Sequence, residues 1–166
     1  MVVYKEQWRK VFEPEQLGIS VRGTESVVHC ARAMIQANHS DPHFGFMYID
    51  SKNAFNSYDR DIMLKAVKRY VPELYAFTVW KYGLHIPLFL SDGSKIVSQK
   101  GSKQGDALSN LYFSVYYKYI VDEIRVKYKL FSLCFCDDHY IAGRLDEVAK
   151  LFKEIKSALT SAGTVF

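Results

Sequence analysis

Leu133-Cys134-Phe135-Cys136-Asp137-Asp138-His139-Tyr140-Ile141-Ala142 sets two adjacent acids inside an apolar run. Runs rich in aromatic and β-branched residues form strands, so Asp137 and Asp138 are expected at the tight turn of a β-hairpin. Like charges side by side between buried strands are costly unless a cation neutralises them. Hard divalent cations such as Mg²⁺ take carboxylate oxygens, and one further acid would hold the ion firmly. Asp50 supplies it, ending the apolar run Phe44-Gly45-Phe46-Met47-Tyr48-Ile49 in the same way. Two acidic strand ends, remote in sequence, point to a shared metal centre. An Asp pair without Asp50 would be ordinary turn chemistry, since Asp tolerates left-handed backbone and bonds its own main chain.

The bulk of the chain suits a packed domain around such a site. Its 166 residues, 49% hydrophobic and 15% aromatic, make one domain with a real core and exclude a disordered chain. A net charge of +4 is compatible with a nucleic-acid partner without requiring one. Met1-Val2-Val3-Tyr4-Lys5-Glu6 carries charges where a secretory leader has an apolar core. No apolar run reaches the length of a membrane span, and the greasy segment 111–121 is broken by Lys118. Cysteines are three, an odd number with two in one strand, which suits a reduced intracellular chain, in nucleus or cytoplasm.

Periodicity supplies the other elements. Tyr4, Trp8, Val11 and Phe12 predict an amphipathic helix over 3–12. Thr24 predicts the N-cap of a helix to about 38, burying Val27, Val28, Ala31, Met34 and Ile35. A polar linker through Asn56 leads to a helix of about 59–70 that Ser57 can cap. Helices at 73–82, 106–127 and 145–160 follow, the second buried on most sides. Strands at 85–90 and 95–99 flank the hairpin signal Asp92-Gly93. The order fits an α+β fold, helices stacked on one face of an antiparallel sheet.

Four segments then fit one pattern: Tyr48-Ile49-Asp50-Ser51-Lys52-Asn53-Ala54-Phe55-Asn56, Gly101-Ser102-Lys103-Gln104-Gly105-Asp106-Ala107-Leu108-Ser109, Phe135-Cys136-Asp137-Asp138, and the closing helix into Ala162-Gly163. In this order the chain resembles the palm of reverse transcriptases, most of all the non-LTR retrotransposon and group II intron type. Gln16-Leu17-Gly18 through Arg22-Gly23-Thr24-Glu25 is similar to their fingers-to-palm segment. The resemblance implies partial fingers over 1–43 and a polymerase palm over 44–166, ending before the thumb. It also implies RNA-directed DNA synthesis, with dNTPs, an RNA template, a DNA primer and the missing fingers and thumb segments of a longer polyprotein as partners, and no membrane. Asp50, Asp137 and Asp138 would hold two Mg²⁺ ions, or Mn²⁺ in their place. Phe55, five positions after Asp50, matches the aromatic gate that excludes a 2′-hydroxyl; from the bare sequence it is an ordinary core ring. Gln104 and Gly105 would touch the template–nucleotide pair. Of the basic residues Arg22, Lys52, Arg60, Lys100 and Lys103, those favoured for phosphate contact are Arg22, Lys52 and Lys103.

Departures from the family pattern carry expectations of their own. Ala107 stands where proline is usual, which predicts a looser loop. His139 stands where glycine is usual, and a turn needing positive φ there would be strained. Cys134, Cys136 and His139 have the donor types of a zinc site but lack a fourth ligand. The competing reading is a truncated, non-catalytic retroelement remnant that at most binds nucleic acid or Mg²⁺.

Overall fold

The computed structural model describes residues 5–103 and 105–166, so the expectations placed on Tyr4 and Gln104 lie outside the described residues. In chain order the elements are α1 (Lys5–Phe12), α2 (Gly23–Asn38), β1 (Phe44–Ile49), α3 (Ala54–Ser57) and α4 (Arg60–Tyr70). A 3₁₀ turn (Pro72–Leu74) leads into α5 (Tyr75–Tyr82), then β2 (Ile86–Phe89), β3 (Lys95–Ser98), α6 (Ser109–Arg125), β4 (Phe131–Phe135), β5 (Asp138–Arg144) and α7 (Leu145–Ser161). The central sheet is antiparallel with order β1-β5-β4, and β2 and β3 form a separate hairpin.

Alternation along the strands divides the sheet into two faces. Met47, Ile49, Cys134 and Ile141 pack into one large core with Tyr117 and Val121 of α6 and Val148, Leu151 and Ile155 of α7. The opposite face carries Phe46, Tyr48, Leu133 and Tyr140. Leu17 and Val27 cover Leu133 there, whereas Tyr48 remains 51% exposed. The free edge of β4 is closed at Cys134: its N–H donates to the Glu15 carbonyl at 2.7 Å, and its carbonyl accepts from Leu17 N–H at 2.8 Å.

Local chemistry moves several boundaries. Ser57 ends the short helix α3 and does not cap α4; the Asp59 carboxylate does, accepting from the N–H groups of Asp61 and Ile62. Thr24 is not a cap either. α2 begins at Gly23, with Arg22 before it in left-handed conformation at φ 57° and no side-chain cap. A Cβ on Gly23 would lie 2.2 Å from the Leu17 carbonyl oxygen, so only glycine lets the chain turn into α2 here. The apolar stripe expected on α2 is covered only in part: Val27 is buried, while Val28 and Ile35 are 41% and 45% exposed. Among the described residues the helix rests mainly on β4 through its first turns, so its later turns have little to bury against.

Candidate active site

β1 ends with Ile49 opposite His139, and the next step of that register sets Asp50 across from Asp138. Phe135 pairs with Asp138, which leaves Cys136 and Asp137 as the two residues of the turn. The turn thus falls one residue earlier than expected, with Asp138 opening β5. The left-handed conformation falls on Cys136, at φ 54°, and not on His139. His139 is fully buried in β5, its ring nitrogens 2.8 Å from the hydroxyls of Tyr117 and Ser132. Burial lowers its pKa to about 3, so it is neutral. Cys134 and Cys136 are buried free thiols whose pKa values burial pushes upward.

The three acids meet at one corner of the sheet. Burial raises the pKa of the half-buried Asp137; its own backbone N–H works against this, and the charges of Asp138 and Asp50 add to it. Tyr48 donates to Asp138 Oδ1 at 2.5 Å. That bond, then burial, then the charges of Asp138 and Asp50, hold the phenol well above its usual range. The carboxylates are within electrostatic reach of one another but are not closed around an ion. Among the described residues no group of three or more His, Cys, Asp or Glu side chains is arranged to hold a metal. The donor chemistry still fits a hard divalent cation: oxygen donors only, mutually repelling, one of them already resisting ionisation.

The glycine segment between β3 and α6 lies against α3 and α4. Gly101 N–H donates to the Tyr58 carbonyl and Ser102 N–H to the Phe55 carbonyl, both at 2.8 Å. A Cβ on Gly101 would sit 2.3 Å from that Phe55 oxygen, which explains glycine at this position. The Phe55 ring packs on Phe113 at 5.3 Å between centroids. Gly105 is exposed at φ 83° with open space around its Cβ direction. Lys103 is half-buried, Lys52 and Arg22 are exposed, and the Lys52 N–H is tied to the Val165 carbonyl at 2.8 Å. An open cleft of about 680 Å³ runs along the segment, lined by Asn56, Ser98, Lys100, Ser102 and Lys103. None of the three acids lines it.

Arg60 and Tyr82 hold this segment, a role the sequence did not assign to either. Arg60, grouped with possible phosphate contacts, is buried instead. Its guanidinium donates to the carbonyls of Ser98, Lys100 and Gly101 and to the Ser98 hydroxyl, at 2.7–3.1 Å. It also lies 5.0 Å from the centroid of the Tyr82 ring. The Tyr82 hydroxyl accepts from Lys103 N–H at 3.1 Å and donates to Asp106. Asp106 pairs with Lys81 at 2.7 Å and accepts from Leu108 N–H at 3.0 Å. Burial pushes its pKa up, but these partners outweigh that and hold it below the usual value. So Asp106 braces the loop ahead of α6 and does not cap the helix directly. The looseness expected from Ala107 is offset by these ties.

A three-stranded antiparallel sheet backed by helices, with acids at the end of one strand and at the turn of the neighbouring hairpin, is the palm architecture of polymerases. The family model described as reverse transcriptase (RNA-dependent DNA polymerase) matches residues 2–165, and the chain belongs to that family. The fold is similar to telomerase from Candida tropicalis in complex with a TWJ fragment of telomeric RNA. There the TM-score is 0.71 at 12% identity, over 99% of this chain and 31% of that one. Telomerase from Candida albicans with the same kind of fragment gives 0.68 at 11% identity, over 98% and 33%. Apo Candida tropicalis telomerase truncated from its C-terminal domain gives 0.68 at 13%, over 98% and 37%. The chain thus spans about a third of these structures, and identities so low speak for the fold alone. No curated protein matches the sequence significantly. Among the described residues no helix is long and apolar enough to cross a membrane.

Proposed function

We propose that the chain is the catalytic portion of a retroelement RNA-directed DNA polymerase, of the non-LTR or group II intron type, working inside the cell. It would add dNTPs to the 3′-hydroxyl of a DNA primer on an RNA template, with partial fingers over 1–43 and palm over 44–166. What supports this reading is the strand register, in which Ile49 faces His139 and Phe135 faces Asp138, so that Asp50 follows at the end of the sheet that carries Asp137 and Asp138, in a chain of this family. Asp50, Asp137 and Asp138 would hold two Mg²⁺ ions, with Mn²⁺ able to substitute. Bound there, the ions would stabilise the attacking and leaving oxygens of an in-line displacement. The chain's other residues position the reactants, which is most of the catalytic task in phosphoryl transfer. By the family resemblance, Phe55 would serve as the gate at the incoming sugar, Gln104 and Gly105 would touch the template–nucleotide pair, and Arg22, Lys52 and Lys103 would meet phosphates.

Primer extension on an RNA template tests this directly. Expected are Mg²⁺-dependent incorporation and a loss of about 10³-fold in Asp137→Ala, the scale of removing a main electrostatic stabiliser. Phe55→Ala should admit ribonucleotides that the parent chain rejects. Extension that survives in Asp137→Ala would refute the assignment. A second reading, a truncated, non-catalytic retroelement remnant that at most binds nucleic acid or Mg²⁺, draws on the acids not being closed around an ion among the described residues; binding of a template–primer duplex or of Mg²⁺ without any extension would favour it.

A further inference from the structure

Gln16 is 4% exposed and lies beside the acidic turn, 120 residues along the chain from it. Its side-chain amide makes a reciprocal pair of bonds with the main chain of Cys136. Nε2 donates to the Cys136 carbonyl and Oε1 accepts from the Cys136 N–H, both at 2.9 Å. Oε1 also accepts from Gly18 N–H at 2.9 Å. The backbone around it is fixed independently, because Gln16 bridges Cys134 in parallel at the edge of β4. Gly18 fits tightly against the same turn: a Cβ there would lie 2.7 Å from Cys136 Sγ.

Cys136 needs this support. A two-residue hairpin turn with positive φ at its first position is normally given to glycine, and a cysteine at φ 54° is disfavoured. Such conformations persist where the surroundings over-determine them. Two hydrogen bonds from one buried amide fix both peptide groups flanking the Cys136 Cα. The next residue is Asp137, whose direction follows from that backbone.

We propose that Gln16 is a positioning residue for the metal site: by holding Cys136 in its left-handed conformation, it aims the Asp137 carboxylate at the divalent cation. This rests on the polymerase reading of the acids. Gln16 touches neither cation nor nucleotide and acts only through the turn.

Gln16→Met keeps the volume and removes all three hydrogen bonds, and Gln16→Glu keeps the acceptor but loses the donor to the Cys136 carbonyl. Amide hydrogen exchange of the free chain reads the turn without any polymerase assumption. Exchange at Cys136 should rise about tenfold in Gln16→Met, the effect of losing one such bond, and not in the middle of α6. Mg²⁺ titration reads the consequence: affinity should fall about tenfold in Gln16→Met and less in Gln16→Glu. Cys136→Gly, which accepts positive φ without strain, should restore at least half of that loss in the Gln16→Met background; a merely packing role for Gln16 would show no such rescue. If Gln16→Met does not fold, the smaller loss and the rescue are read in Gln16→Glu. Unchanged Cys136 exchange overturns the proposal, as does wild-type Mg²⁺ affinity without Gln16's bonds. A parent chain that binds no Mg²⁺ overturns the polymerase reading and the metal half with it, while exchange still decides whether Gln16 holds the turn.

Discussion

The acidic turn and the glycine segment are held by opposite means. The glycine segment is completed by the protein itself. Arg60 caps its carbonyls on one side, and Tyr82 and Lys81 hold Asp106 on the other, so the Arg60 and Asp106 charges have partners within the fold. The acidic turn gathers charges of one sign, and its supports include two neutral side chains, Gln16 on the main chain and Tyr48 on Asp138. One region is finished by folding. The other, on the proposed reading, would be completed by a cation.

Breaking the finished region should cost most. Arg60→Ala strands three carbonyls and a hydroxyl in the interior, a loss of about 3 kcal/mol. Thermal unfolding should then shift down by about 6–12 °C for a chain of this size. A variant melting like the parent would show that the segment is not clamped by Arg60.

The unfinished region should behave in the reverse sense. Because burial and neighbouring charges raise the Asp137 pKa, the folded chain holds that proton more tightly than the unfolded one. Stability from this group is therefore present in acid and is lost as pH rises through the folded-state value. Asp137→Asn removes the charge, so at neutral pH without divalent ions it should raise the melting temperature of the chain, an effect kept small by the solvent that screens this half-buried site. The parent should gain stability on adding Mg²⁺ and the variant should not. A destabilised Asp137→Asn would mean that the carboxylate is satisfied in the free chain.

The smallest effect should come from Tyr48→Phe. The phenol occupies one oxygen of Asp138 at a half-exposed site. Freeing it should tighten Mg²⁺ binding by about threefold, the reach of a modest, solvent-screened hydrogen bond. Weaker binding in the variant would make Tyr48 a support for the ion and not a competitor.

How far the sequence reached depends on how local each determinant is. The hairpin and the helices were readable, because alternation and 3.6-residue periodicity are written in neighbouring residues. The position of the turn was missed by one residue, since Cys136 takes a left-handed conformation that nothing adjacent favours. Its support comes from Gln16, 120 residues upstream. Arg60 was misread for the same reason: its acceptors lie 38–41 residues ahead, and a buried arginine looks like a surface one in sequence. Val28 and Ile35 fit the helical stripe of α2 yet stay exposed, because periodicity reports which face can be buried and not what covers it. Asp59 displaced Ser57 as the cap of α4, a choice between two good capping residues that spacing alone does not decide.

Calorimetric titration of Mg²⁺ into the parent chain, Asp50→Asn and Asp137→Asn most directly tests whether acids remote in sequence serve one cation site. Binding in the parent that weakens at least about tenfold in each variant is the expected result, since each loses a charged ligand. Parent-like binding in Asp50→Asn would separate that residue from the acidic turn and contradict a shared centre.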